Sequence, residues 1–263
     1  MKKKKFKNWL IVNDYSEHTV SGALNVIRQF EKTYTEFNQD NVYNYLLSNK
    51  NKLAKNTFNY YKDKLKLYAE FENLTIKLPK SAKTTSTIPK YIEEDYLEKE
   101  VIPVAVCTSK KPIRDKAILY FMFYTGIRPN ELISLSRKNI CLEKREVKIY
   151  CSKQNKERIV YISDKLVRIL SAYFSYENEE INAFNIPTVE ALSTMTRRVK
   201  KNIDIDEFSP YTLRHSFATH LRMNDCPLEI IQELMGHKDI SSTQIYAHIN
   251  NKKLKESYDK YIK

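Results

Sequence analysis

Glycine is nearly missing from this chain, with 3 in 263 residues. That leaves no Gly-x-Gly-x-x-Gly turn and no Walker A loop, the glycine-rich backbones that cradle nucleotide phosphates. Dependence on ATP or NAD is therefore not expected. Cysteine is scarce as well. The four, Cys107, Cys141, Cys151 and Cys226, form no Cys-x-x-Cys pair and have mostly apolar neighbours. They read as reduced, partly buried thiols of a cytoplasmic protein. No apolar run approaches the roughly 18 residues that span a bilayer, so no membrane partner is expected. A basic start at Lys2–Lys5 imitates a signal peptide, but the apolar stretch Trp9-Leu10-Ile11-Val12 stops at Asn13 and Asp14, and no signal peptide follows.

What is present points to a folded, basic protein. Hydrophobic residues make up 42% of the chain, enough for real cores. Lys and Arg number 45 against 32 Asp and Glu, a formal net charge of +13. Such a surplus favours a polyanionic partner such as nucleic acid. The Lys2–Lys5 run is then either a solvated, frayed terminus or an arm on that partner.

Periodicity divides the chain. Val20, Leu24, Ile27 and Phe30 recur at helical spacing, as do Phe58, Tyr61, Leu65 and Tyr68, with a short helix expected between them over Asn41 to Leu47. From Pro79 to Pro89 core-forming residues almost vanish and a proline stands at each end, which reads as an exposed linker. Residues 1–89 carry +8 of the net charge and residues 90–263 carry +5, so the smaller segment holds most of the surplus. We place a helical first domain at 1–83, a linker at 84–89 and a second domain at 90–263. In the second, Ala117 to Tyr124 is a dense apolar helix that Gly126 is placed to end. Pro129 suits the first turn of a helix carrying Leu132 and Leu135. Val147, Ile149 and Cys151, then Val160 and Ile162, alternate as two strands around a Lys153–Lys156 turn. Asn139 to Leu142 is a candidate third strand, and after Ser163 the pattern is helical to the end. The expected fold is mainly α with a small antiparallel β-sheet, in an all-α domain followed by a mixed α+β domain.

Four stretches carry candidate chemistry. Thr125-Gly126-Ile127-Arg128-Pro129-Asn130-Glu131-Leu132 sets an arginine in the corner between two apolar helices, where a helix start and a forked guanidinium both suit a phosphate. Ser152-Lys153-Gln154-Asn155-Lys156-Glu157-Arg158 is a basic hairpin tip, commonly just solvated but able to offer an ammonium to a phosphate. In Ser209-Pro210-Tyr211-Thr212-Leu213-Arg214-His215-Ser216-Phe217-Ala218-Thr219-His220-Leu221, the residues Leu213, Phe217 and Leu221 form a core face, and Tyr211 and Arg214 fall three apart at the helix start. His215 and His220 read as structural, because a spacing of five does not make the i, i+4 pair of a zinc helix. In Leu234-Met235-Gly236-His237 through Ile245-Tyr246-Ala247-His248, Gly236 ends a helix, His237 follows where a protonated imidazole is favoured, and Tyr246 lies on the next short helix.

Together these stretches, in their order and separations, closely resemble the tyrosine recombinase and phage integrase family, with a Xer-like flavour, from about Ile88 to Ala247. The resemblance implies the residue roles. Arg128 and Arg214 look like the two catalytic arginines and Lys153 like the hairpin lysine. His237 matches the second histidine, and Tyr246, nine residues later, the nucleophile. Tyr211, counted with the catalytic residues, stands where most members have histidine and would donate a hydrogen bond or assist proton movement; Gln154 stands where the hairpin usually has glycine. Glu131 resembles an acid that supports the arginine corner. The implied reaction passes a DNA phosphodiester to the tyrosine oxygen as a 3′-phosphotyrosine and back to a new strand. The arginines would hold the non-bridging oxygens, Lys153 would protonate the leaving oxygen, and no metal or other cofactor would be used. The implied partners are double-stranded DNA with a specific site and a homo-tetramer that exchanges strands through a Holliday junction, with an accessory protein left open. Two domains would clamp the DNA, and a tail helix over Asn250 to Lys263 would pack on its own or a neighbouring protomer. The rivals are type IB topoisomerase-like relaxation, a silent DNA-binding protein on the same fold, and, more distantly, a zinc hydrolase.

Overall fold

The structure, a computed structural model, describes residues 2–82, 90–151, 156–177, 181–237 and 241–247. The chain falls into two compact units, Met1–Ser86 and Thr87–Lys263.

The first unit is built from helices α1 (Lys2–Val12), α2 (Glu17–Glu31), α3 (Gln39–Asn49) and α4 (Lys55–Phe71). Ser16 and Asn38 start α2 and α3 by accepting the amides of Thr19 and Asn41, which satisfies donors that a helix start leaves free. The apolar spacing of α2 turns Val20, Ala23, Val26, Ile27 and Phe30 inward. On α4 the buried positions are Phe58, Leu65, Tyr68 and Ala69, with Tyr61 only partly covered. Full burial of a side chain such as Phe30 or Leu65 is worth about 1.5–3 kcal/mol, and Phe6 and Phe37 add edge-on ring contacts to Tyr68 at 4.9 and 4.8 Å.

Two expectations change here. The lysine run is not a frayed end: it forms the first turn of α1, whose Phe6 and Leu10, four apart, are fully buried. The start of the presumed linker is also held down. Asn59 donates to the Ala82 carbonyl at 3.0 Å and accepts the Ala82 amide at 2.9 Å, and Lys62 donates to Ser81. Residues 84–89 lie outside the described residues.

The second unit is mixed. Helix α5 (Glu94–Tyr96) runs through a π-turn at Leu97–Val101 into α6 (Ile102–Thr108). Next come α7 (Pro112–Thr125), α8 (Pro129–Ser134), and an antiparallel sheet of β1 (Ile140–Cys141), β2 (Glu146–Cys151) and β3 (Lys156–Tyr161), in that order across the sheet. Then follow α9 (Asp164–Tyr176), α10 (Val189–Lys200), α11 (Pro210–Met223), α12 (Leu228–Met235) and α13 (Ser241–Gln244). Helix α7 is buried along almost its whole length, as its lack of a polar face requires. Val147 pairs with Val160 and Cys151 with Lys156, so Lys156, expected in the turn, already belongs to β3. After Ser163 the described elements are all helices, as expected. The segment between α9 and α10 is pinned by buried Asn182, which donates to the carbonyls of Ile133 at 2.9 Å and Ile186 at 2.6 Å. A small separate core of Phe217, Ala218, Ile231, Met235 and Tyr246 lies where α11, α12 and the segment after α13 meet. Among the described residues no helix is long and apolar enough to cross a membrane.

Candidate active site

The site is assembled where the corner between α7 and α8, the inner face of β3, the first turns of α11 and the end of α12 converge. Gly126 ends α7 in a left-handed conformation at φ +61°. Phe217 packs so tightly on it that a Cβ there would sit 2.3 Å from the ring, which suits only glycine. The turn puts Arg128 at the start of α8, its side chain 27% exposed. Arg128 donates to Glu131 Oε1 at 2.9 Å and to the Gly236 carbonyl at 2.6 Å, while its backbone amide donates to Glu131 Oε2 at 2.9 Å.

Arg214, on α11, is only 3% exposed. It donates to the Met235 carbonyl at 2.6 Å and to the Gly126 carbonyl. The two arginines thus reach consecutive carbonyls at the end of α12 from different elements. Each guanidinium has five N–H donors in a fixed plane, so neither is used up by these bonds. The carbonyls set the direction of each fork.

A third arginine escaped the sequence reading. Arg158 on β3 donates to both Glu131 oxygens, at 2.9 and 2.8 Å, and to the Leu234 carbonyl at 2.9 Å. The signal was available. The alternation that turns Val160 inward turns Arg158 inward as well, and a charge at a core position demands a buried partner. Glu131 is that partner and supports the arginine corner as expected. Burial raises its pKa, but Arg158 and Arg128 outweigh burial and hold the carboxyl at about 2. One carboxylate among Arg128, Arg158 and Arg214 leaves the described cluster with surplus positive charge, the complement of a phosphate.

Gly236 ends α12 in the left-handed conformation at φ +62°, and His237 follows, its Nδ1 2.9 Å from Thr243 Oγ1. The helix end does not leave this imidazole protonated, as expected from its position. Burial, then Arg214 and Arg128, push its pKa down to about 4, so the ring is neutral at pH 7. The general preference of a helix C-terminus for cations loses here to desolvation and like charge.

Tyr246 is completely buried, and its phenol is pushed up to about 12, chiefly by burial, which Arg214 only partly offsets. Its Oη lies 2.6 Å from Nδ1 of His215. Among the described side chains it is His215, expected to be structural, that hydrogen-bonds the tyrosine oxygen. The position next to Arg214 was the only sequence hint, since contact with Tyr246 spans 31 residues. His220 fits the structural expectation, with Nε2 3.1 Å from the Ile92 carbonyl. Tyr211 shares the start of α11 with Arg214; it is 54% exposed and is not hydrogen-bonded to Arg214. Lys153 lies outside the described residues, between Cys151 and Lys156, which pair. Arg158, two residues into β3, fastens this hairpin to Glu131.

The model of the phage integrase family matches residues 95–253. The tyrosine recombinase XerD of Pasteurella multocida (strain Pm70) is 33% identical over 199 residues, covering 69% of this chain and 65% of that protein. The XerD of Halalkalibacterium halodurans is 35% identical over 159 residues, covering 56% and 53%. The match thus spans less than two thirds of the length of these relatives. Among solved structures, the Tn1549 transposon integrase in complex with circular intermediate DNA superposes with a TM-score of 0.73 at 16% identity, covering 98% of each chain. The XerH site-specific recombinase in a post-cleavage complex with palindromic difH substrate gives 0.71 at 19%, covering 90% and 78%. At those identities the likeness is one of fold.

Proposed function

The chain belongs to the phage integrase family, and from that membership we propose that it is a site-specific recombinase that cleaves and rejoins DNA through a 3′-phosphotyrosine on Tyr246. One observation carries the proposal. Arg128 and Arg214, 86 residues apart, converge on the Met235–Gly236 turn, and Tyr246 Oη lies against the residue next to Arg214.

In this reading the scissile phosphate sits on the forked donors of Arg128 and Arg214. They stabilise the charge that grows on the non-bridging oxygens as Tyr246 Oη attacks phosphorus. A neutral His237 adds one N–H. Lys153 gives its proton to the 5′-oxygen as the P–O bond breaks. The bond energy is kept in the phosphotyrosine, so religation needs no nucleotide. Tyr211, exposed on the first turn of α11, is assigned to the DNA-facing surface and not to the proton path. The buried Oη implies a resting arrangement that DNA binding opens over Tyr246 while the Oη–His215 contact is kept. The wider reading is that 1–83 and 90–263 act as two DNA-gripping domains joined at 84–89. Four protomers would then exchange strands between two duplexes through a Holliday junction, in the cytoplasm and with an accessory protein where cleavage is gated.

The test is recovery of covalent protein–DNA adducts from a library of nicked suicide duplexes with randomised arms, in EDTA. Wild type yields adducts on a defined site, and Tyr246→Phe yields none. Adduct from Tyr246→Phe removes Tyr246 as nucleophile; adduct only on adding a metal ion removes the arginine-based stabilisation of charge.

A further inference from the structure

We propose that His215 is a further catalytic residue, the proton acceptor for Tyr246. It would take the phenol proton on Nδ1 as Oη attacks phosphorus and return it on religation. The inference rests on Tyr246 being the nucleophile.

The geometry comes first. Nδ1 and Oη are 2.6 Å apart, within reach for direct proton transfer. No other hydrogen bond from a described side chain reaches this hydroxyl, and Tyr211, at the position where the family usually has a histidine, is 54% exposed. Histidine 215 is the neighbour of Arg214 on α11, so the acceptor and the phosphate clamp share one helical turn. A phosphate drawn to Arg214 meets Oη beside the imidazole once DNA binding opens the site over Tyr246.

The chemistry requires such a group. With its pKa near 12, Tyr246 is ionised at pH 7 in only about one molecule in 10⁵, too few for attack without a base. His215 is suited to accept. Burial and then Arg214 lower its pKa, so the ring is neutral at pH 7, and Nδ1 as acceptor places the single proton on Nε2. The titratable and charged groups around it are Arg214 on its own helix, His237 after α12, and Tyr246 after α13; of these Arg214 alone is charged at pH 7. The balance closes: Oη–P forms, P–O5′ breaks, the phenol proton goes to Nδ1, and the leaving oxygen takes its proton from Lys153. Religation runs the same transfers backward. The imidazolium made next to Arg214 is offset by the charge gained on the phosphate oxygens.

The test uses the full chain and the nicked duplex recovered above, in single-turnover cleavage. His215→Ala and His215→Gln are both measured, because glutamine keeps a hydrogen-bond acceptor for Oη but cannot take a proton. Both are expected to lower the rate about 10²–10⁴-fold with DNA affinity unchanged. The wild-type rate should fall on the acid side as His215 protonates and be flat above. In the variants it should climb about tenfold per pH unit toward pH 9, as hydroxide replaces the imidazole. A 5′-bridging phosphorothiolate, whose leaving thiolate needs no proton, should restore Lys153→Ala but neither His215 variant. The proposal is overturned if either variant cleaves within threefold of wild type or faster, or if the phosphorothiolate restores it. Adduct in Tyr246→Phe would instead overturn the parent reading. Loss of adduct there, with His215 variants unaffected, overturns this inference alone.

Discussion

Substituting Glu131→Gln probes the cluster through its single anion. Glu131 is 6% exposed in its side chain and is bound by both Arg158 and Arg128. Removing one partner of such a buried pair leaves the other charge uncompensated, which costs about 3–5 kcal/mol; here the guanidiniums of Arg158, Arg128 and nearby Arg214 all lose it. Linkage gives a second estimate. The carboxyl titrates at about 2 in the fold against an ordinary 4.5, a difference on the order of 3 kcal/mol at 1.36 kcal/mol per pH unit. The folded pKa is depressed, so this stability is complete above about pH 5 and is lost as pH falls from there toward 2. The measurement is urea denaturation of wild type and Glu131→Gln from pH 7 to pH 2.5. At pH 7 the variant should be weaker by about 3 kcal/mol, or about 6–12 °C in Tm for a domain of this size, and the gap should close as the pH drops. A gap below about 1 kcal/mol at pH 7, or one independent of pH, would falsify the assignment of Glu131 as the counter-ion that holds the arginines.

Gly126→Ala forces alanine into φ +61° and a Cβ 2.3 Å from the Phe217 ring. Thermal denaturation should show a loss of roughly 2–4 kcal/mol, from left-handed strain plus overpacking. Gly22→Ala is the contrast. Its Cβ meets only the tip of the Tyr60 side chain and its φ is ordinary, so once that hydroxyl turns aside the change should be neutral or a gain of up to about 1 kcal/mol. A large loss there would mean that Tyr60 cannot move. Arg158→Lys keeps the charge but not the fork that grips both Glu131 oxygens and the Leu234 carbonyl. It should cost about 2 kcal/mol of stability and slow single-turnover cleavage while DNA affinity stays near wild type; equal rates would show that the fork is not needed.

Much of the second unit could be read from the chain. Apolar spacing located α7, α8, α11 and α12, alternation located β2 and β3, and Gly126 and Gly236 marked helix ends, because these signals arise from neighbours in sequence; α5, α6, α9 and α10 were not placed individually. The order of Arg128, Arg214, His237 and Tyr246 carried the family for the same reason, since a motif is a pattern along the chain. What the sequence left undecided depends on contacts far apart in it. Arg158 became the partner of Glu131 across 27 residues and Arg128 that of Gly236 across 108, which only packing of β3, α8 and α12 could bring about. Protonation was equally out of reach. The place of His237 after a helix favours a charged ring, yet burial among arginines keeps it neutral. From sequence alone came the order of arginines, histidine and tyrosine that the family pattern requires. Tertiary structure alone decided which histidine touches Tyr246 and that its hydroxyl lies buried, because desolvation and long-range contact exist only once the chain has closed on itself.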